Sequence, residues 1–209
     1  MAALNVKPTR MELSNLKKKR KVAVRGHKLM KDKRDEMVRR FIVYVRRNRT
    51  LREEVEQKLA SAMQGFVLAR ASMRAEAVEE ALCYPARPAE IKVSAQHVLS
   101  VVVPKLELAS VGNVELPYGI VGTSAELDAA VQAFAELLPL LIELAEVEKT
   151  CNRLADEIEK TRRRVNALEY VMIPQFDEAI RTIKMKLDEN ERGNLTRLMK
   201  TKEMLAQKE

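Results

Sequence analysis

Between Pro8 and Pro85 no proline interrupts the chain, and a heptad repeat walks through that stretch. Leu16, Ala23, Met30, Met37, Tyr44 and Leu51 hold one core position. Leu13, Arg20, His27, Arg34, Phe41, Asn48, Val55 and Ala62 hold the companion position, which is polar at first and apolar later. Apolar residues at this spacing predict a long helix whose buried surface is a narrow seam against another helix. Some 70 residues at ~1.5 Å each make a rod of roughly 105 Å. Composition agrees. Only 4% of the 209 residues are aromatic and there is no Trp, whereas a broad globular core draws much of its buried area from rings.

The texture changes after Leu82. The stretch "CYPARPAEIKVSAQHVLSVVVPKLELASVGNVELPYGIVGTS" holds four of the seven prolines and three of the six glycines. It also contains β-branched runs, Ile91-Lys92-Val93 and Val101-Val102-Val103, which predict short strands joined by a turn. Helix resumes where Thr123 or Ser124 can cap and Glu126 sits in the first turn. The second seam reads Leu127, Val131, Phe134, Leu138, Leu141, then Cys151, Leu154, Ile158, Val165, Leu168, Met172, Phe176, Ile180, Ile183 and Leu187. Two successive steps of four, through Met172, Phe176 and Ile180, are a stutter that relaxes a supercoil. Pro139 and Pro174 each remove a helical N–H and predict bends.

The expected organisation is therefore mainly α. Residues 1–82 form one long helix, 83–123 a β-hairpin knob and 124–209 a second long helix. Folding back buries both seams and gives an antiparallel two-helix coiled-coil hairpin with the knob at its turn. A single long helical arm is the alternative, and it would leave both seams in water.

Charge is concentrated at the start. Residues 1–50 carry 17 Lys and Arg against four acids, so the rest of the chain is net acidic although the whole is +8. Ten of those cations lie between Asn15 and Met37: Lys17, Lys18, Lys19, Arg20, Lys21, Arg25, Lys28, Lys31, Lys33 and Arg34. A nucleic-acid grip is one reading of such a run. Against it, Leu13, Leu16, Ala23, Met30 and Met37 carry a seam straight through the basic tract, so the tract expects a helical partner. No aromatic precedes Phe41 to stack on bases. A basic coiled-coil scaffold or nucleic-acid binder remains the rival class. Gly26 interrupts this helix at a cost of about 1 kcal/mol relative to Ala, and close approach of another backbone is the expected reason. Arg162, Arg163 and Arg164 face either the acidic second strand or a partner.

Nothing in the chain reads as catalysis. There is no P-loop, no nucleophile elbow, no zinc-protease helix and no dinucleotide fingerprint. His27 and His97 fall on different elements, and paired acids such as Glu53-Glu54, Glu79-Glu80 and Asp188-Glu189 suit solvated helix faces. Cys83 and Cys151 are isolated, as reduced thiols are. No apolar leader opens the chain and no uncharged run approaches the ~18 residues of a membrane span. A cytoplasmic protein with no cofactor and no metal is expected.

Two long motifs carry a family resemblance. "PTRMELSNLKKKRKVAVRGHKLMKDKRDEM" and "RRRVNALEYVMIPQFDEAIRTIKMKLDENERGNLTRLMKTKE" resemble the two ends of the D subunit of the V-type and A-type rotary ATPases, closest to bacterial and archaeal members. The resemblance implies a non-catalytic central rotor shaft that transmits torque between ATP hydrolysis or synthesis in a catalytic head and H⁺ or Na⁺ movement through a membrane ring. Its implied partners are the catalytic and non-catalytic head subunits, the small F subunit of the rotor and the funnel-shaped subunit on the ring. Neither nucleic acid nor membrane insertion is implied, and the shaft would be peripheral to the membrane. The ten cations named above would present a basic face to the head. Leu13, Leu16, Met30, Met37, Phe41, Leu51, Ile180, Ile183 and Leu187 would form the coiled-coil seam. The knob would meet the other rotor subunits and modulate turnover.

Overall fold

The computed structural model describes residues 7–83, 89–109, 116, 118–119 and 122–206. Parts of the sequence-defined knob therefore lie outside the described residues. Helix α1 spans Arg10–Ser72 and α2 spans Ala75–Leu82, so the single run expected to reach Leu82 is divided at Met73 and Arg74. Strands β1 (Ile91–Val98) and β2 (Val101–Leu108) follow. Helix α3 spans Ala125–Ala167, a π-helical turn occupies Leu168–Met172, and α4 spans Ile173–Ala206. The chain is mainly α, with long antiparallel helices and one small β-hairpin. It forms two compact units, one of Met1–Glu36 with Ile158–Glu209 and the other of Met37–Glu157.

Local signals set the helix ends. The Thr9 hydroxyl accepts the Glu12 N–H at 3.2 Å and caps α1. At the start of α3 it is Ser124, of the two candidate caps, whose hydroxyl accepts the Leu127 N–H, at 3.4 Å. Pro139 lies inside α3, and the helix continues through it.

In the first unit, Leu16 and Ala23 of α1 and Val165 and Ile183 of the returning helices are buried. Leu13, Met30, Ile180 and Leu187 are half-buried beside them. The helices run antiparallel: Arg10 pairs with Glu191, Arg20 with Asp177 and His27 with Glu169. As α1 ascends, its partners descend. Exposed pairs of this kind contribute at most about 1 kcal/mol each, so their value lies in fixing register. Of the polar companion row of α1, Arg20 and His27 are thus met by acids across the seam, while Arg34 turns to Asp35 of its own helix.

The stutter resolves differently from the expectation. Met172 is turned out to solvent, and Ile173 is half-buried in its place. The inward residues run Leu168, Ile173 and Phe176, so eight residues divide as five and three instead of four and four. The π turn, closed by the Ile173 N–H on the Leu168 carbonyl, supplies the extra residue. Pro174 follows directly. It has no N–H to offer the Tyr170 carbonyl, which is its α-helical partner.

In the second unit the buried row of α1 runs Met37, Val55, Ala62 and Ala69. Phe41, Tyr44, Asn48 and Leu51 are half-buried while the inward face passes from one heptad row to the other. Across from them, Arg47 pairs with Glu143 and Arg52 with Glu148 at 2.7 Å. The antiparallel sense is set by Asn48 bonding Cys151 and Gly65 facing Ala130. The α3 seam departs from the expected one. Leu137 is 1% exposed and Ile142 8%, whereas Leu141 is 40% exposed and Leu138 only half-buried. This stretch serves two neighbours, because the Glu146 carboxylate of α3 also accepts the Leu106 N–H of β2 at 2.8 Å. Its buried strip is wider than a two-position seam. Ala69, Ala81 and Leu127 form a further small core with Phe66, Met73, Tyr118 and Val131 against it.

Gly26 corrects another expectation. A Cβ placed there would meet nothing within 4 Å, so no backbone among the described residues approaches it from across the helix. Gly65, which lies 3.8 Å from the Ala130 Cβ by the same construction, is the glycine facing an opposed helix.

The hairpin is antiparallel and pairs Ile91 with Leu108 through Val98 with Val101. Leu99 and Ser100 form a two-residue turn with φ of 49° and 68°, the left-handed pair that a type I′ turn demands.

Thr161 supplies the first prediction. It is 1% exposed, and its hydroxyl has no hydrogen-bond partner among the described residues. Replacing a buried, unsatisfied hydroxyl by a methyl removes a desolvation cost of about 1–3 kcal/mol. Thr161→Val should therefore raise unfolding free energy by about 1 kcal/mol in urea titration; a loss of stability would contradict the absence of a partner.

Candidate subunit interface

The basic tract lies on α1 in the first unit, and the structure divides its ten cations. Lys17, Lys18, Lys19, Lys21, Arg25, Lys28 and Lys31 are exposed and Lys33 half-buried, and none has an ion-pair partner among the described residues. Arg20 is engaged by Asp177, and Arg34 donates to the carboxylate of its neighbour Asp35 at 2.8 and 3.0 Å. Eight of the ten are thus held out on a rigid helix with no internal neutralisation. A field of one sign on a rigid support steers and orients an acidic partner surface. Val22 and Leu29 stand exposed among these cations. On the returning helix, Arg163 pairs with Glu159 one turn back, so this member of the Arg162–Arg164 run is held within its own helix.

Sequence reasoning located the cations but not their partners. Asp177, Glu169 and Glu191 gave no signal of their own, because acids are plentiful on that helix. Only the antiparallel register selects these three.

The second unit offers three other surfaces. A groove of about 820 Å³ is lined by Glu76, Glu79, Glu80 and Cys83 near α2, together with Tyr118 and Thr123. Met63, Val67 and Leu68 expose a patch of apolar side chains on α1. The hairpin exposes Ile91, Val93 and Val102. Cys151 is buried, which pushes its thiol pKa up, although a hydrogen bond from Asn48 acts the other way. Among the described residues no group of His, Cys, Asp and Glu could hold a metal ion. No described helix is long and apolar enough to cross a membrane.

Comparison with known proteins gives this arrangement a family. The profile of the ATP synthase D subunit matches residues 12–203, which takes in all of the hairpin and most of both long helical runs. The chain belongs to the family of ATP synthase D subunits. It is 54% identical over 206 residues to the V-type ATP synthase D subunit of Thermoanaerobacter pseudethanolicus, covering 98% of this chain and 99% of that one. It is 54% identical over 208 residues to the protein of the same name from Acetivibrio thermocellus, covering 98% and 94%. The Clostridium novyi protein of that name is 53% identical over 210 residues, covering 98% and 97%. The family resemblance read from the two end motifs is therefore established over nearly the full length.

In this member of the family, Tyr118 gives a pH prediction. Its hydroxyl donates to the Asp128 carboxylate at 2.9 Å, and burial together with that bond and the nearby negative charge pushes its pKa up to about 12. The folded-state pKa lies above that of a free phenol, so the neutral form is favoured by folding. This contribution is fully present below pH ~10 and is lost as pH climbs through about 12. Ultraviolet titration of the folded chain should show a late phenolate phase that Tyr118→Phe abolishes. Loss of an earlier phase instead would contradict the Asp128 contact.

Proposed function

We propose that this chain is the central rotor shaft of a V-type ATP synthase, carrying torque between a catalytic head and an ion-translocating membrane ring. Membership in the family of D subunits carries this reading, and the physical character of the chain supports it. A torque-bearing element needs resistance to twist, and paired helices with an apolar seam supply more of it than one helix. It also needs angular asymmetry, so that equivalent sites in a surrounding head meet different faces at one moment. One strand here is strongly basic and the other is not. Coupling then consists of differential contact with the conformations of each site. In this reading the shaft itself is non-catalytic, and hydrolysis belongs to the head.

Residues 1–82 and 124–209 are then the two strands of the shaft and 83–123 the knob. The unpaired cations, Lys17, Lys18, Lys19, Lys21, Arg25, Lys28, Lys31 and Lys33, face acidic surface of the catalytic and non-catalytic head subunits. Arg20 and Arg34 contribute less, because each already has a carboxylate partner. The knob meets the small F subunit of the rotor and the funnel-shaped subunit on the ring. The protein works on the cytoplasmic side, peripheral to the membrane.

The decisive experiment reverses the unpaired charges alone. Lys17, Lys18, Lys19 and Lys21, all changed to Glu, should weaken assembly with the head subunits by tenfold or more at physiological salt, given about 0.5 kcal/mol or more per charge. The loss should be smaller when variant and wild type are compared in high salt. ATPase activity and assembly equal to wild type at physiological salt would reject the basic face as the head contact. Salt-sensitive retention of the wild-type chain on DNA, with no co-purifying ATPase subunits, would favour the rival class.

A further inference from the structure

The two edges of the hairpin differ. In an antiparallel pair, alternate residues turn their N–H and C=O groups toward the partner strand and away from it. The two-residue turn makes Val98 and Val101 an inward-bonded pair, and the alternation then points Val102, Pro104, Leu106 and Leu108 outward from β2. That outer edge is closed in its middle: Pro104 has no N–H, and the Leu106 N–H is taken by Glu146 of α3. On β1 the outward residues are Ile91, Val93, Ala95 and His97. No described residue hydrogen-bonds to their outward groups.

The same four residues lie on the apolar face of the hairpin, beside Val102, Pro104, Leu106 and Leu108. That face is open. Val93 is 70% exposed, Val102 53% and Ile91 49%, while the buried Val98, Val101 and Val103 lie on the other face near the turn. Lys92 lies on that second face with Glu107 opposite it in register, but the Glu107 carboxylate is engaged by Lys105. Lys92 also feels the Glu107 charge, but among the described residues no carboxylate lies within ion-pair distance of its exposed ammonium.

We propose that β1 is a docking edge for an extended strand supplied by another subunit of the assembly. The strand is amphipathic, with apolar side chains alternating on the Ile91–Val93–Ala95 face and a carboxylate on the other face beside Lys92. Backbone groups supply affinity, the apolar face supplies buried area, and the exposed ammonium, which Glu107 compensates only at a distance, selects charge and register. The proposal rests on the reading of the hairpin as a contact with other rotor subunits.

Residue-resolved hydrogen exchange on the isolated chain and on the complete assembled complex tests it. Assembly should slow the outward amides of Ile91, Val93, Ala95 and His97 by about tenfold or more. The inward amides of Ser94 and Gln96 report whether the hairpin itself stays intact. Val93→Pro removes one outward donor without touching the β1–β2 ladder, and Pro104 shows that this hairpin accepts proline at an outward position. It should weaken retention of the neighbouring rotor subunits about five- to tenfold, and Lys92→Glu should act in the same direction. Equal exchange of the four amides in the free chain and the complex, with head subunits still bound, overturns the strand proposal and leaves the shaft reading standing. Slowing in the isolated chain that grows with its concentration overturns it in favour of a second copy. A wild-type chain that co-purifies with no ATPase subunits removes both readings together.

Discussion

The long helices depend on burying a stripe of apolar side chains that is only one or two residues wide except where α3 also meets the hairpin. Leu16, Ala23, Met37, Val55, Ala62 and Ala69 are buried on α1, and Leu127, Leu154, Val165 and Ile183 on the returning helices. Such a stripe provides little area per residue, so phase matters more than composition. A side chain one position off the seam, such as Leu141 or Met172, is out in solvent. The ion pairs of Arg10 and Arg20 and the His27–Glu169 contact add little energy but favour this register, since a shift along the axis would set these polar groups against apolar positions.

The partition of charge follows from that geometry. Arg10, Arg20, Arg47 and Arg52 pair with acids of the opposing helix, Arg49, Lys58 and Arg163 with acids one turn away on their own, and Lys17, Lys18, Lys19 and Lys21 with none among the described residues. A chain carrying 38 Lys and Arg thus separates them into a structural set and an outward set without any change of residue type. Outward charge and narrow internal burial belong together, because a two-helix element has nowhere else to put its polar residues.

Helix, hairpin and antiparallel return were legible because they rest on local signals: heptad spacing, β-branched runs and the clustering of proline and glycine. Details set by residues far apart in sequence were not. Thr161 occupies a buried position that the apolar seam passed over, because a hydroxyl gives no periodic signal. The choice between four-four and five-three at Leu168–Phe176 depends on whether a π turn or the supercoil absorbs the mismatch, and both fit the same letters. Gly26 suggested a close neighbour that the register does not bring. The closing of the β2 edge depends on Glu146, forty residues beyond Leu106, which no strand pattern could reveal.

The π turn has a mechanical consequence. Its hydrogen bonds close wider rings than those of an α-helix, and Pro174 withholds the donor that would tighten the next one. Wider rings resist rotation about the helix axis less than the α-helical ladder on either side. When one end of this helical run is held and the other is turned, angular strain therefore collects between Leu168 and Pro174. The strand has a soft link at a fixed address, with Glu169 in that link and His27 of α1 alongside it.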